Sequence, residues 1–350
     1  MHSINILLYI LFFTFPAYSQ LPEFKTKQDI HKIRYISPKG TYTFYQKTSG
    51  ELQLSTNYNF KNIFQASKGS DYQVSGSKEN SQIVFTVNDS PLSKINFNKE
   101  FKIYSSDIKG EKQPQELGTG VDPKLHLQDQ MVSFYSPKEN KLKIVNLFDL
   151  SLKKEIKLQK KHAFWRPLHF VITPNDVVYT DINKNNHEAV LMYSFIENSF
   201  KTIYKTSVNS NKLEACLLKD NIIIGEYSLT NYKSPSRIYS IPLYNNYNFN
   251  TKDLLYSNSF SDLGQLICFK DAIYFIKTVA FNEKLNLPKT EIVKLNFKTK
   301  KITSIVANNN YQQLIQIGDF ILTYYRDKYY LVEGPNDLIK DAIKKDRENK

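Results

Sequence analysis

Residues 160–169 hold the side chains best suited to recognising a ligand. The segment contains the only tryptophan of the chain, followed directly by an arginine and flanked by two histidines. Trp and Arg are the residue types most enriched where binding energy concentrates in an interface. Together with a polar and aromatic loop further along the chain, it predicts a ligand-binding surface made of His162, Phe164, Trp165, Arg166, His169 and Tyr232. The alternative is that Trp165 and Phe164 pack between neighbouring structural units.

Common catalytic motifs are missing from the sequence. It has no Gly-x-Ser-x-Gly elbow, no His-Glu-x-x-His pair and no glycine-rich phosphate loop. An acid–base enzyme needs titratable groups that converge in one pocket, and the histidines here are dispersed. We therefore predict non-catalytic binding without a cofactor. A lyase or hydrolase acting on an anionic polysaccharide, with His162, His169 and His187 as bases, is the alternative.

Two other groups of residues suggest a metal site or a covalent link. Residues 181–188 carry oxygen donors at alternate positions, as a calcium loop does, but Asn186 and Met192 replace the required Gly and Glu. We predict a hydrophilic hairpin and no metal site. Cys216 and Cys268 fall on equivalent strands of adjacent repeats. Because packed sheets lie about 10 Å apart and a disulfide needs Cα atoms within about 7 Å, we predict two buried thiols, with a disulfide as the alternative.

These residues belong to a chain that repeats every 40–50 residues. Seven short apolar strands, each introduced by a polar turn, contain the anchor residues Phe44, Phe85, Phe134, Tyr179, Ile224, Phe275 and Tyr324. A period of this length with four strands is the signature of propeller blades. The sequence predicts an all-β fold, a β-propeller of about seven four-stranded blades in one domain over residues 20–334. Two β-sandwiches are the alternative.

The two ends of the repeat predict how the ring closes. The last repeat supplies strands at residues 311–317, 320–326 and 329–333, and it lacks a fourth. Residues 21–28 precede the first inner strand and have no partner of their own. We therefore predict that 21–28 form the outermost strand of the last blade. Residues 335–350 are predicted to be a charged tail, either a short helix or disordered.

The first residues predict export. An apolar run at residues 4–15 is followed by small residues, Ala17 and Ser19, at the positions a signal peptidase requires. The run is too short to span a bilayer. We predict a signal peptide at residues 1–19 and a mature protein that is periplasmic or secreted, with no transmembrane segment. A buried N-terminal strand or helix is the alternative.

The charge indicates what kind of partner to expect. The chain carries 47 Lys and Arg against 34 Asp and Glu, a net charge of +13, which favours acidic partners. Nearly all the cations are scattered lysines, whereas specific nucleic-acid readout relies on the planar fork of arginine. A protein or an acidic glycan is therefore the predicted partner, with no specific nucleic acid, and the protein is predicted to be a monomer.

Residues 37–44, Ser-Pro-Lys-Gly-Thr-Tyr-Thr-Phe, resemble the WD40-like repeats of TolB-type bacterial propellers. That family has a Ser-Pro-Asp-Gly turn leading into an apolar strand. Residues 77–85 and 102–110 continue a looser match. Lys39 stands where the family has Asp, and the α/β domain that precedes the family's propeller has no counterpart here. The resemblance implies a propeller fold and a location in the cell envelope, and it transfers no functional residue.

Overall fold

A computed structural model of the protein describes residues 30–36, 43–47, 49–56, 59–68, 70–76, 82–88, 101–126, 131–159, 170–172, 175–182, 187–206, 211–228, 231, 233–243, 252–262, 264–282, 287–309, 313–317, 320–325 and 328–334. Within these ranges every element of regular structure is a β-strand, which confirms the predicted all-β class. None of the described residues forms a helix with the length and apolarity needed to cross a bilayer.

The described strands form six antiparallel sheets, each built from strands consecutive in the chain. Sheet 1 contains β1 (Ile30–Ile36), β2 (Thr43–Lys47), β3 (Glu51–Thr56) and β4 (Asn59–Gln65). Sheet 2 contains β5 (Asp71–Gly76), β6 (Gln82–Asn88), β7 (Phe101–Asp107), β8 (Gln115–His126), β9 (Met131–Ser136), β10 (Lys141–Asn146) and β11 (Leu152–Lys157). Sheet 3 contains β12 (Phe170–Ile172), β13 (Asp176–Ile182), β14 (Glu188–Ser194) and β15 (Ser199–Lys205).

The other three sheets follow the same order. Sheet 4 contains β16 (Asn211–Leu218), β17 (Asn221–Ser228), β18 (Ser236–Pro242) and β19 (Asp253–Asn258). Sheet 5 contains β20 (Gly264–Phe269), β21 (Ala272–Asn282), β22 (Leu287–Asn296) and β23 (Ile302–Asn309). Sheet 6 contains β24 (Leu314–Ile317), β25 (Phe320–Tyr325) and β26 (Lys328–Glu333).

Sheet 2 is two repeats joined through one long strand. The first half of β8 pairs with β7 as a fourth strand, and its second half pairs with β9 as a first strand. The chain makes this transition at Gly120, where a Cβ would lie 2.6 Å from the Phe134 ring and 2.7 Å from the Tyr135 carbonyl oxygen. Only glycine allows so close an approach. Asp122, two residues later, has a positive φ of 53°, and the register of the pairing between β8 and β9 shifts there, between Val121 and Lys124.

The seven predicted anchor residues all lie in the second strands of the repeats: β2, β6, β9, β13, β17, β21 and β25. A second strand has a strand on each side and a neighbouring sheet against each face, so both sets of alternating side chains are buried. In β6 every residue from Ile83 to Asn88 is buried. This explains why these strands are continuous apolar runs and do not alternate with polar residues.

Hydrophobic clusters join each sheet to the next around a closed ring. One cluster contains residues of sheet 1, sheet 2 and sheet 6, including Phe44, Phe85 and Phe320. Others join the two halves of sheet 2, then sheets 2 and 3, 3 and 4, 4 and 5, and 5 and 6. Sheets arranged radially and packed face to face in a ring form a β-propeller.

Side-chain clamps also connect the inner strands of neighbouring repeats. Backbone N–H groups of the next inner strand donate to Gln73 Oε1, Glu214 Oε2 and Gln265 Oε1, at 2.7, 2.7 and 2.5 Å. The donors are Asp122, Leu266 and Leu314, which lie 49, 52 and 49 residues further along the chain. The clamps therefore recur with the period of the repeat, although no local sequence motif marks them.

The prediction of two thiols at Cys216 and Cys268 is wrong. The two residues form a disulfide with a Cα–Cα distance of 5.7 Å. They lie on β16 and β20, the inner strands of sheets 4 and 5. The spacing of about 10 Å applies to sheets that pack face to face and stay parallel over their whole width. Radial sheets converge towards the ring axis, so their inner strands approach much more closely.

Two architectural predictions remain predictions. Residues 21–28, expected to be the closing strand, lie outside the described residues, as do residues 335–350. The described strands of sheet 6 are three, in the order β24-β25-β26. The count of seven four-stranded blades therefore stays a prediction, while the propeller fold itself is established.

Candidate functional site

A cleft of about 1450 Å³ opens at the outer edge of the ring, across three sheets. Its centre is β15, the outer strand of sheet 3. One wall comes from β11 of sheet 2, and the other from sheet 4. The lining includes the cations Lys154, Lys157, Lys201, Lys205, Arg237 and Lys252, and the aromatic residues Tyr179, Phe200, Tyr204 and Tyr239. We call this site the basic cleft.

The basic cleft has a strong positive balance. Its lining contains six cationic side chains and two carboxylates, Glu155 and Glu226. Glu155 forms an ion pair with Lys141, 2.6 Å from its Nζ. Glu226 is buried and accepts hydrogen bonds from the Tyr204 hydroxyl and from Asn211 Nδ2. Both carboxylates are thus engaged by other groups, and the potential in the cleft favours an anionic ligand.

Tyrosines form the floor of the basic cleft. Tyr179, Tyr204 and Tyr239 are buried, and the rings of Tyr204 and Tyr239 lie 5.6 Å apart. Burial, reinforced by the hydrogen bond to Glu226, raises the pKa of the Tyr204 hydroxyl well above its usual value. Burial likewise raises the pKa of Tyr179. Both phenols therefore stay protonated at neutral pH, and the Tyr204 hydroxyl donates its hydrogen bond to Glu226.

Cations lie over the aromatic rings near the wall of the cleft. Lys252 Nζ is 5.0 Å from the centre of the Tyr239 ring and 5.8 Å from that of Tyr204. Lys154 Nζ is 4.3 Å from the Tyr193 ring. Phe200, on the central strand β15, lies 4.8 Å from the Tyr193 ring and is 61% exposed. A ligand here would meet an exposed aromatic face beside lysines held in position by cation–π contacts.

The residues predicted for ligand binding, His162, Phe164, Trp165, Arg166, His169 and Tyr232, lie outside the described residues. Their role stays a prediction. Of the three histidines considered as bases, His187 is described, and its Nδ1 lies 3.0 Å from the Thr206 carbonyl oxygen. Asp181, the first residue of the calcium-like segment, accepts the backbone N–H groups of Gln159 and Ile182 at 2.7 and 2.8 Å. Its carboxylate thus holds the segment that leads out of β11.

Sequence reasoning missed the basic cleft. In the sequence the lysines indicate only a scattered positive charge that favours an acidic partner. A signal was nevertheless present, because lysines recur on two consecutive fourth strands, β11 and β15, and again at Lys252, directly before β19. What the sequence does not indicate is that packing brings the three strands together around one concavity.

His126, on β8, gives a prediction about pH. Burial, with Lys124 nearby, lowers its pKa from 6.5 to about 3, and its Nε2 lies 2.7 Å from Ser133 Oγ. The folded protein keeps this ring neutral, while the unfolded chain protonates it below pH 6.5. His126 therefore does not affect stability above pH 6.5. Below pH 6.5 it lowers the free energy of unfolding by about 1.4 kcal/mol for each pH unit, until the pH approaches 3.

Replacing His126 by Gln should therefore reduce acid sensitivity. Between pH 7 and 5 the variant is expected to lose about 2 kcal/mol less of its free energy of unfolding than the wild type does. Urea unfolding at the two pH values measures this difference. Equal losses in the two proteins would show that His126 is not the acid-sensitive group.

Comparisons with known proteins support the fold. No protein-family model and no curated protein matches this chain. Among solved structures, the tricorn protease gives a TM-score of 0.61 at 11% identity, covering 93% of this chain. This chain spans 34% of the length of that protease chain. The RRP9 WD40 repeats give a TM-score of 0.53 at 9% identity, covering 90% of this chain and 98% of that one.

A TolB-type structure from Agrobacterium tumefaciens also matches, with a TM-score of 0.39 at 9% identity over 65% of this chain and 80% of that one. The two higher-scoring matches agree with the ring of packed antiparallel sheets described above. At such low identities they establish the fold alone: this chain is a β-propeller.

Proposed function

We propose that this protein is a non-catalytic binding module that recognises an acidic glycan in the basic cleft. The observation that carries the proposal is the lining of the cleft, six cations against two carboxylates that already have other partners. Carboxylate or sulfate groups on a sugar chain would bind these cations through charge-assisted hydrogen bonds.

The distribution of the cations favours an extended ligand. They come from three sheets: Lys157 from β11, Lys205 from β15, and Arg237 and Lys252 from sheet 4. A single small anion would contact one or two of them, whereas a polymer with regularly spaced charges can cross all three edges. The exposed ring of Phe200 adds an apolar face against which a sugar ring can pack.

We also propose that the protein acts outside the cytoplasm. The pattern at residues 1–19 is that of a secretory signal. The disulfide between Cys216 and Cys268 supports the same location, because such links form and persist in oxidising compartments.

The double variant K205Q/R237Q tests the proposal for the cleft. With a fluorescent oligogalacturonate as the probe, its affinity should fall about a hundredfold, since each of the two lost charge-assisted hydrogen bonds contributes roughly 1.5 kcal/mol. Raising the salt concentration should weaken wild-type binding in the same direction. A neutral oligogalactoside of the same length should not bind.

The matched control is K289Q/K301Q, which removes two exposed cations of sheet 5 and changes the net charge equally. Its affinity should stay within twofold of the wild type. Equal weakening in both variants would show a general charge effect and contradict a site in the cleft. Release of shorter or unsaturated fragments from polygalacturonate during the assay would instead support the lyase or hydrolase alternative.

A further inference from the structure

Three hairpin turns at the same end of sheets 2, 3 and 5 have the same backbone conformation at their last residue. Each joins the third and fourth strands of a repeat, at residues 147–150, 195–198 and 297–300. The fourth residue of each turn has a positive φ: 57° at Leu150, 51° at Asn198 and 54° at Lys300. In two of them the strand ends are closed by equivalent hydrogen bonds, Asn146 N–H to Ser151 O and Asn296 N–H to Lys301 O, at 2.9 and 3.0 Å.

The second residue of each turn points into solvent, but its chemistry differs between the turns. Phe148 is 94% exposed and Ile196 is 74% exposed, while sheet 5 has the exposed Lys298 at the same position. Because the turn forms with a lysine there, the fold does not require an apolar tip. Leu150 is a further partly exposed apolar residue in the left-handed region, where bulky side chains are uncommon.

Both apolar turns lead directly into strands that line the basic cleft, and the turn of sheet 3 contacts the strand that follows the turn of sheet 2. Lys154 Nζ, on β11 of sheet 2, donates to Asn198 Oδ1 in the turn of sheet 3 at 3.2 Å. Phe200 and Lys201, which follow that turn directly, line the cleft. The molecule thus presents two projecting apolar tips next to a concentration of cations.

We propose that this end of the ring docks on an anionic lipid membrane. Phe148 and Ile196 enter the interface between headgroups and acyl chains, and cations at the mouth of the cleft bind acidic headgroups. The tips project, so a protein partner would need two matching pockets, whereas a bilayer accepts projecting apolar side chains without complementary shape. The net charge of +13 attracts the protein to the same surface.

The variant F148K/I196K tests this proposal, because electrostatic binding and insertion of the tips predict opposite changes in its affinity for vesicles. It copies the lysine that sheet 5 already carries, so folding should be preserved, and it adds two positive charges. Binding by electrostatics alone would therefore become tighter. Insertion of the tips predicts the opposite, a partition coefficient at least about tenfold lower, because two apolar side chains no longer leave water. Co-sedimentation with vesicles of phosphatidylcholine and phosphatidylglycerol in a 7:3 ratio measures it.

The control T303K/S304K adds the same two charges on β23, at exposed positions away from the tips, and should bind at least as well as the wild type. Tighter or unchanged binding of F148K/I196K, or no wild-type binding to these vesicles, would overturn the proposal. Affinity for oligogalacturonate should not fall in F148K/I196K, because the two added positive charges can only strengthen the binding of an anionic sugar chain. The membrane proposal and the glycan proposal can therefore fail independently.

Discussion

Replacing Cys216 and Cys268 by serine is expected to lower the free energy of unfolding by about 4 kcal/mol, on the chain-entropy model for a closed loop of this length. The two residues are 52 apart in the sequence, so the disulfide constrains a long loop of the unfolded chain. It also links the inner strands of sheets 4 and 5 next to the clamp between Glu214 and Leu266. Urea unfolding of C216S/C268S against the wild type measures the loss.

A reducing agent provides the matched control. It should lower the stability of the wild type to that of C216S/C268S and leave the variant unchanged. If the variant unfolds within about 1 kcal/mol of the oxidised wild type, the disulfide does not contribute to stability as this model requires.

The strand pattern was predictable from the sequence because burial in a propeller is periodic. The second strand of each repeat is covered on both faces, so it appears as a continuous apolar run, as at 83–85 and 272–275. The predicted anchor residues Phe85 and Phe275 accordingly lie within the second strands β6 and β21. Polar turns separate these strands and set their limits.

Features that depend on the curvature of the ring were not predictable. β8 contains Gly118, Gly120 and Pro123, which in the sequence look like a loop between two repeats, yet the strand is continuous through them. The disulfide was missed for a related reason. The distance between sheets in a radial arrangement changes from the outer edge to the axis, and a sequence gives no position along that radius.

The basic cleft depends on contacts between residues far apart in the chain. Lys157 and Lys252 are separated by 95 positions, and both line the same concavity. Residue types alone indicated an acidic partner, through the net charge, but not where it would bind. The location required the packing of three consecutive sheets, which no local pattern specifies.

Replacing Phe320 by Ala is expected to lower the free energy of unfolding by about 3–5 kcal/mol, the usual range for a fully buried phenylalanine. Phe320 is the first residue of β25 and has no exposed surface. It packs in the cluster that joins sheet 6 to sheet 1, the two ends of the repeat series. Elsewhere in the ring, neighbouring repeats are also connected by the chain itself. Removing the Phe320 side chain should therefore weaken the contact between sheets 1 and 6 and open the ring there.

Phe275→Ala is the matched comparison. Phe275 is equally buried, between sheets 4 and 5, which are also joined by the chain and by the disulfide. Both variants should be destabilised by similar amounts, but amide hydrogen exchange should separate them. In Phe320→Ala, exchange should accelerate together in β1–β4 and β24–β26, because local opening releases both sheets. Exchange that accelerates equally in all six sheets, or only in sheet 6, would show that Phe320 does not hold the ring closed.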